Sequence, residues 1–255
     1  MFVCLCALWP EFGRFMARWV SAPVSRAVVR ISALTAFPLV LAALAVVGVL
    51  FKPRALLALT LAAALFCLTW VPALCTGARK IEEATRPQLA ALCVRLVGEL
   101  NTAGRAVAEG DEALRVARRA MAAPAMPRAA RFPRLMRRLG LAGIYIPITG
   151  AAVVDVTRPA PGLTFTAAHE LAHMRGIAHE AAANIAAYEA CVRHGGAAAY
   201  SARLWALRYA LARLGDDWRY VSGLNQEMRR DLARIPYSAG SLDEYAALAD
   251  HLAAR

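Results

Sequence analysis

Five residues, His169-Glu170-Leu171-Ala172-His173, carry the clearest chemical signal in the chain. They read H-E-x-x-H in a segment that looks helical. On a helix, side chains four positions apart share a face, so both imidazoles can grip one metal ion while Glu170 points to the same side. Two neutral nitrogen ligands and a carboxylate that takes a proton from a coordinated water are the minimal apparatus for zinc-assisted hydrolysis. His169 and His173 are therefore expected as ligands and Glu170 as general base. The bland alternative is a buried cluster of polar groups that satisfy one another. The chain has 5 His in 255 residues. Three of them, His169, His173 and His179, crowd into one short stretch, which argues for a local chemical purpose.

A zinc site needs a third protein ligand, and two candidates follow the motif directly. The run from His169 to His179 spells H-E-x-x-H-x-x-G-x-x-H, the metzincin pattern, in which Gly176 would turn the chain and His179 would ligate. The alternative is Glu180, with Asn184 four residues later. That E-x-x-x-N resembles the E-x-x-x-D of gluzincins such as thermolysin, in which the Glu binds zinc and the residue one turn on orients a ligating His. Metzincins also need a tight Met-containing turn downstream. Met228, the sole Met after His179, sits in the charged run Asn225-Gln226-Glu227-Met228-Arg229-Arg230. The spacing therefore favours Glu180, with His179 as the alternative ligand.

Several elements must position these groups. Gly143 to Ile148 reads as a short strand, Thr149-Gly150 as a turn, and Ala152 to Val156 as a return strand. Pro147 suits an edge strand, because it lacks the donor that a central strand needs. A peptide can pair with such an edge as an added strand. Thr164 or Thr166 can cap the motif helix, which should stop at Gly176. From His179 onward the chain reads as helices, with breaks near Gly195-Gly196, Gly215 and Pro236 to Gly240. Arg79 to Arg119 also reads as helices, with apolar residues at Leu89, Leu92, Val94, Leu96, Val97 and Leu100 and a break within Asn101 to Gly110. Ala120 to Arg134, rich in Ala, Pro and Arg, reads as an irregular linker.

The N-terminal third has another character. The chain is 59% hydrophobic, with a mean hydropathy of +0.44. Ile31 to Phe51 and Ala55 to Ala78 are uncharged, and each is long enough to span a bilayer, which takes about 20 apolar residues. Lys52-Pro53-Arg54 separates them. Met1 to Trp9 is apolar but too short to span and lacks the marks of a cleaved leader. Pro10 to Arg30 alternates Arg with apolar residues, as a helix lying on a membrane surface does. The expected organisation is an apolar stump and surface segment over 1–30, a transmembrane helical hairpin over 31–78, and a mainly α domain with a small β-hairpin, an α+β zincin-like domain, over 79–255. A multi-pass membrane protein follows, with the lipid bilayer as one partner and a peptide or protein substrate as the other.

The formal net charge is +12. Arg residues are spread along the whole chain, and no zinc-finger, RRM or helix-turn-helix signature appears, so nucleic acid is not expected as a partner. Solvated helix faces and anionic headgroups account for the charge. The globular part holds Cys93 and Cys191. Without a C-x-x-C pair they do not form a zinc site, and small buried hydrophobes are their expected role.

The blocks Gly143 to Gly150, His169 to Gly176, Glu180 with Ala183-Asn184, Cys191 and Tyr200-Ser201 together resemble the bacterial membrane proteins of domain-of-unknown-function family 3810, regarded as zinc-dependent metallopeptidases of the broad H-E-x-x-H clan. The resemblance implies His169, His173 and Glu180 as ligands and Glu170 as base. It also implies a domain outside the cytoplasm, with Lys52-Pro53-Arg54 as a cytoplasmic loop. The chain departs from the family pattern at Ala182 and Ala151, where relatives carry acidic residues, and at His179, where they carry Arg. The expectation is a membrane-anchored zinc peptidase in which Glu170 moves the proton and Tyr200, or less directly Tyr145 or His194, donates to the developing oxyanion. The rival is an inactive zincin-like membrane protein that serves as a binding or regulatory module.

Overall fold

A computed structural model of the chain describes residues 81–146, 150–177, 179–235 and 242–255, and for 242–245 only the backbone. The expected membrane hairpin and surface segment, residues 1–78, lie outside the described residues, as does Pro147. Among the described residues no helix is long and apolar enough to cross a membrane.

The described part is mainly helical with a three-stranded sheet. In chain order the elements are α1 (Arg86–Ala103), α2 (Gly110–Ala120), β1 (Arg128–Ala129), α3 (Pro133–Arg138), β2 (Gly143–Ile146), β3 (Ala151–Val154), α4 (Ala160–Met174), α5 (Glu180–His194), α6 (Gly196–Arg213), a 3-10 turn (Trp218–Val221), α7 (Gln226–Arg234) and α8 (Leu242–Ala253). The breaks fall where Gly clusters place them. Thr85 and Gln88 cap α1 reciprocally, which satisfies donors that a helix start leaves open. Its buried residues are Leu89, Leu92, Cys93, Leu96, Val97 and Leu100, one face at helical spacing. Val94, also apolar, is 67% exposed, because it falls on the opposite side of that stripe.

Helix α4, which carries the motif, is the centre of the domain. It packs on α2, α5, α6, β2 and β3. Leu163, Thr164, Phe165, Ala167, Ala168, His169, Glu170, Leu171, Ala172 and His173 are all buried. A helix buried all round needs small residues where its neighbours come close, and Ala167, Ala168 and Ala172 supply them. It begins earlier than a Thr cap would put it. Pro159 is the flanking residue and Pro161 lies in the first turn, where its missing N–H is no loss. Thr166 instead donates its hydroxyl to the Gly162 carbonyl at 3.1 Å.

The sheet order is β1-β3-β2, with β1 parallel and β2 antiparallel to β3. The segment expected as an irregular linker thus supplies a strand and the short helix α3. Two-residue β1 is below the length at which alternation can be read, and only its pairing with Val153 and Val154 defines it. Cys93 and Cys191 are free and buried. Burial pushes both thiols up to about 12, as expected for small hydrophobes and not for nucleophiles.

Candidate metal centre

The H-E-x-x-H helix ends in a turn that also aims one of its histidines. Gly176 has a φ of 86°, a left-handed conformation that Gly adopts without strain. Its N–H bonds the His173 carbonyl at 2.8 Å, and the Ile177 N–H bonds the Ala172 carbonyl at 3.2 Å. This is the paired bonding of a Schellman cap. The Ile177 carbonyl then accepts a hydrogen bond from Nδ1 of His173 at 2.8 Å. Helix α5 starts at Glu180 with His179 as its flanking residue, so the chain doubles back within one short loop.

That reversal brings Glu180 onto the two imidazoles. Oε2 of Glu180 is 2.9 Å from Nε2 of His169 and 3.6 Å from Nε2 of His173, and the two Nε2 atoms are 2.9 Å apart. The rings meet edge to face, with centroids 4.5 Å apart. Among the described residues, His169, His173 and Glu180 form the group whose ligand atoms lie within 4.8 Å of one another. His179 is not part of it.

The outer nitrogens decide which atoms face inward. Nδ1 of His169 lies 2.9 Å from Oδ1 of Asn184, and Nδ1 of His173 faces the Ile177 carbonyl. Both partners are acceptors, so each Nδ1 carries the proton and each Nε2 presents a lone pair to the centre. Two nitrogen lone pairs and a carboxylate oxygen converge on one buried point. Oε2 of Glu180 is buried and receives no hydrogen bond, and Oε2 of Glu170 is in the same condition. Such groups repel unless a cation or a shared proton sits among them. Burial pushes the Glu180 carboxyl up; with a proton shared among them, the facing imidazoles outweigh burial and hold it well below the usual carboxylate range, and a cation at the same point would act in the same sense. The His2Glu donor set, with Asn184 and a main-chain carbonyl fixing the imidazoles, fits zinc with a position to spare.

Glu170 lies against β2. Ala142 accepts from the Asp155 N–H, which marks the Ala142/Asp155 pair as hydrogen-bonded. Pairs alternate along an antiparallel ladder, so Gly143 and Tyr145, opposite Val154 and Ala152, turn their N–H and C=O away from β3. The Tyr145 N–H donates to the Glu170 carboxylate. Burial pushes this carboxyl up to about 8; His173 and the Tyr145 N–H pull it down, while Glu180 adds to the rise. Among the described residues β2 is an edge of the sheet, and Glu170 occupies part of its open side.

Gly143 makes this approach possible. A Cβ there would stand 2.6 Å from Cγ and 2.7 Å from Oε1 of Glu170. Gly143→Ala is expected to cost about 1–3 kcal/mol of stability, as overpacking does, read by denaturant unfolding. Glu170→Ala in the same chain should recover most of it. Unchanged stability in Gly143→Ala would show that the strand stands clear of the carboxylate. The role of Gly143 had one sequence signal, a glycine opening a strand, and that signal does not name the partner.

Tyr200 is not brought to this cluster. Its hydroxyl donates to Oδ2 of the buried Asp231 at 2.8 Å, and Asp231 is held by Arg105 at 2.6 Å. Burial, then Asp231, raise its phenol above the usual range. The aromatic therefore ties α6 to α7 and does not face the imidazoles. His194 is exposed at the end of α5. Ala182, where the resemblance implies an acid, is exposed on α5; a carboxylate there would face solvent, and Asn184 is the residue that supports His169. Met228 is buried within α7, not in a turn.

A family model described as "Protein of unknown function (DUF3810)" matches residues 27–238. No curated protein and no solved structure matches the chain.

Proposed function

We propose that this chain, which belongs to the DUF3810 family, is a membrane-anchored, zincin-like metallopeptidase. The observation that carries the reading is the convergence of Nε2 of His169, Nε2 of His173 and Oε2 of Glu180 on one buried point. His169, His173 and Glu180 would hold zinc. A zinc ion supplies Lewis acidity, which brings the pKa of a coordinated water to about 7 and polarises a carbonyl.

The chain's own groups do the rest. Asn184 and the Ile177 carbonyl keep each imidazole in the tautomer that offers Nε2 inward. Glu170, pinned between Gly143 and the Tyr145 N–H, takes a proton at its carboxylate and returns it to the departing amine. The open side of β2 offers main-chain groups to an extended peptide, and the peptide competes with Glu170 for the Tyr145 N–H. The uncharged runs 31–51 and 55–78 supply the anchor, and the bilayer and a polypeptide are the partners. The edge-strand position of Gly143 and Tyr145 favours a peptide over a small ester or amide, since a small molecule has no use for a strand edge.

Full-length protein purified in detergent should contain about one zinc per chain and should cleave an unfolded protein such as denatured casein in a reaction that phenanthroline stops. The His169→Ala/His173→Ala double variant should have neither metal nor cleavage. Stoichiometric zinc surviving in the double variant would sink the site. Full zinc without cleavage of any unfolded protein would leave the metal and remove the peptidase.

A further inference from the structure

We infer that the segment from Met126 to Leu139, built around α3, is a docking surface for anionic phospholipid headgroups. Between Glu112 and Asp155 the chain contains no Asp or Glu. In the middle of this stretch Arg128, Arg131, Arg134, Arg137 and Arg138 are all exposed. Arg137 leans on Asp155 at 3.6 Å. Among the described residues no ion pair engages the other four.

The same segment presents large apolar side chains to solvent. Phe132 is 65%, Leu135 54% and Leu139 63% exposed, with Met126 at 39%. Phe132, Leu135 and Leu139 follow one another by three and four residues, as do Arg131, Arg134 and Arg138. Leu135 with Leu139, and Arg134 with Arg138, therefore form an apolar and a basic row along α3, and Phe132 and Arg131 lie just before its first turn. Met136, next to the apolar row, is buried and fastens α3 to the domain. Exposed apolar clusters rimmed by charge mark interaction sites. The mixture selects the partner. A nucleic acid neutralises arginines but has nothing to receive leucines, and a protein groove would ask for acidic residues in register. An anionic bilayer takes both, with apolar side chains below the headgroups and guanidinium groups among the phosphates.

The placement also suits the site. Leu139, Gly140, Leu141 and Ala142 alone separate α3 from the start of β2, and Arg137 pins α3 to the residue following β3. A bilayer seated on α3 would lie beside the strand edge that holds Glu170. The inference stands on α3 itself and does not need zinc or hydrolysis.

Hydrogen–deuterium exchange on the full chain in nanodiscs tests it. Discs of phosphatidylglycerol should protect residues 126–139 relative to discs of phosphatidylcholine, with amide exchange slowed by roughly 10-fold for four engaged arginines. The variant R128E/R131E/R134E/R138E should abolish the difference while exchange across 160–174 stays as in the parent chain, which shows that the domain is intact. If the chain does not enter discs, which is a failure of the anchor and not of this surface, vesicles of the same two lipids replace them, with the same difference expected. Equal exchange of 126–139 in both lipids overturns the inference. So does protection that appears only with an added oligonucleotide, or only when a disc holds two copies of the chain.

Discussion

Glu180→Ala is expected to empty the metal site, whereas His179→Arg should leave it full. Glu180 places Oε2 between the two imidazoles, 2.9 and 3.6 Å from their Nε2 atoms. His179 flanks the start of α5 and lies outside the cluster. Removing the carboxylate leaves two neutral imidazoles, which hold zinc far more weakly than a charged three-ligand set. Asn184→Ala should weaken zinc by about 10- to 100-fold, because His169 loses the acceptor that fixes its tautomer. Zinc titration against a competing chelator measures all three. A site emptied by His179→Arg and kept by Glu180→Ala would restore the metzincin-like spacing as the correct reading.

Glu170→Gln should retain zinc and lower kcat/KM for a cleaved peptide by about 10²- to 10⁴-fold, the usual worth of a general base. Gln preserves the shape of the side chain and can still accept from the Tyr145 N–H, but it cannot take a proton. The change therefore removes the chemistry and leaves the packing against Gly143. Tyr200→Phe is the contrasting variant. It deletes a hydrogen bond to Asp231, which should cost about 1 kcal/mol of stability, and it should leave zinc content and kcat/KM unchanged. A large loss of kcat/KM in Tyr200→Phe at full zinc occupancy would place the phenol in the reaction after all. Wild-type turnover in Glu170→Gln would take the base role from Glu170.

The sequence by itself determined the local half of the site. Fixed helical spacing made His169 and His173 neighbours wherever the rest of the chain went, because i and i+4 share a face in any α-helix. Gly176 marked the stop, since a left-handed residue is needed there and Gly adopts it freely. The helix breaks near Gly195 and Gly215 and the hairpin of β2 with β3 were legible for the same reason: each is set by a few adjacent residues. The choice of Glu180 over His179 was favoured by spacing and made by the turn at Gly176 and Ile177, which sets the pitch at which α5 returns.

Only the tertiary structure decided what depends on residues far apart in sequence. Asn184 was legible from its spacing and Ile177 belongs to the local cap, but Gly143 with the Tyr145 N–H fixes Glu170 across 25 or more positions that no local rule connects. Tyr200 looked available because an aromatic at a helix start carries no mark of its partner. Asp231 and Arg105, brought to it by the packing of α6 with α7 and α1, claim its hydroxyl. The stretch before β2 read as a linker because Pro and Arg suppress any regular pattern. Its strand exists through pairing with β3, and its exposed apolar stripe is visible only once Met136 is seen to be the side chain that turns inward. Periodicity reports how a segment can fold. Which face meets which neighbour is set by the sum of contacts across the domain, and those contacts are written in no single stretch of the chain.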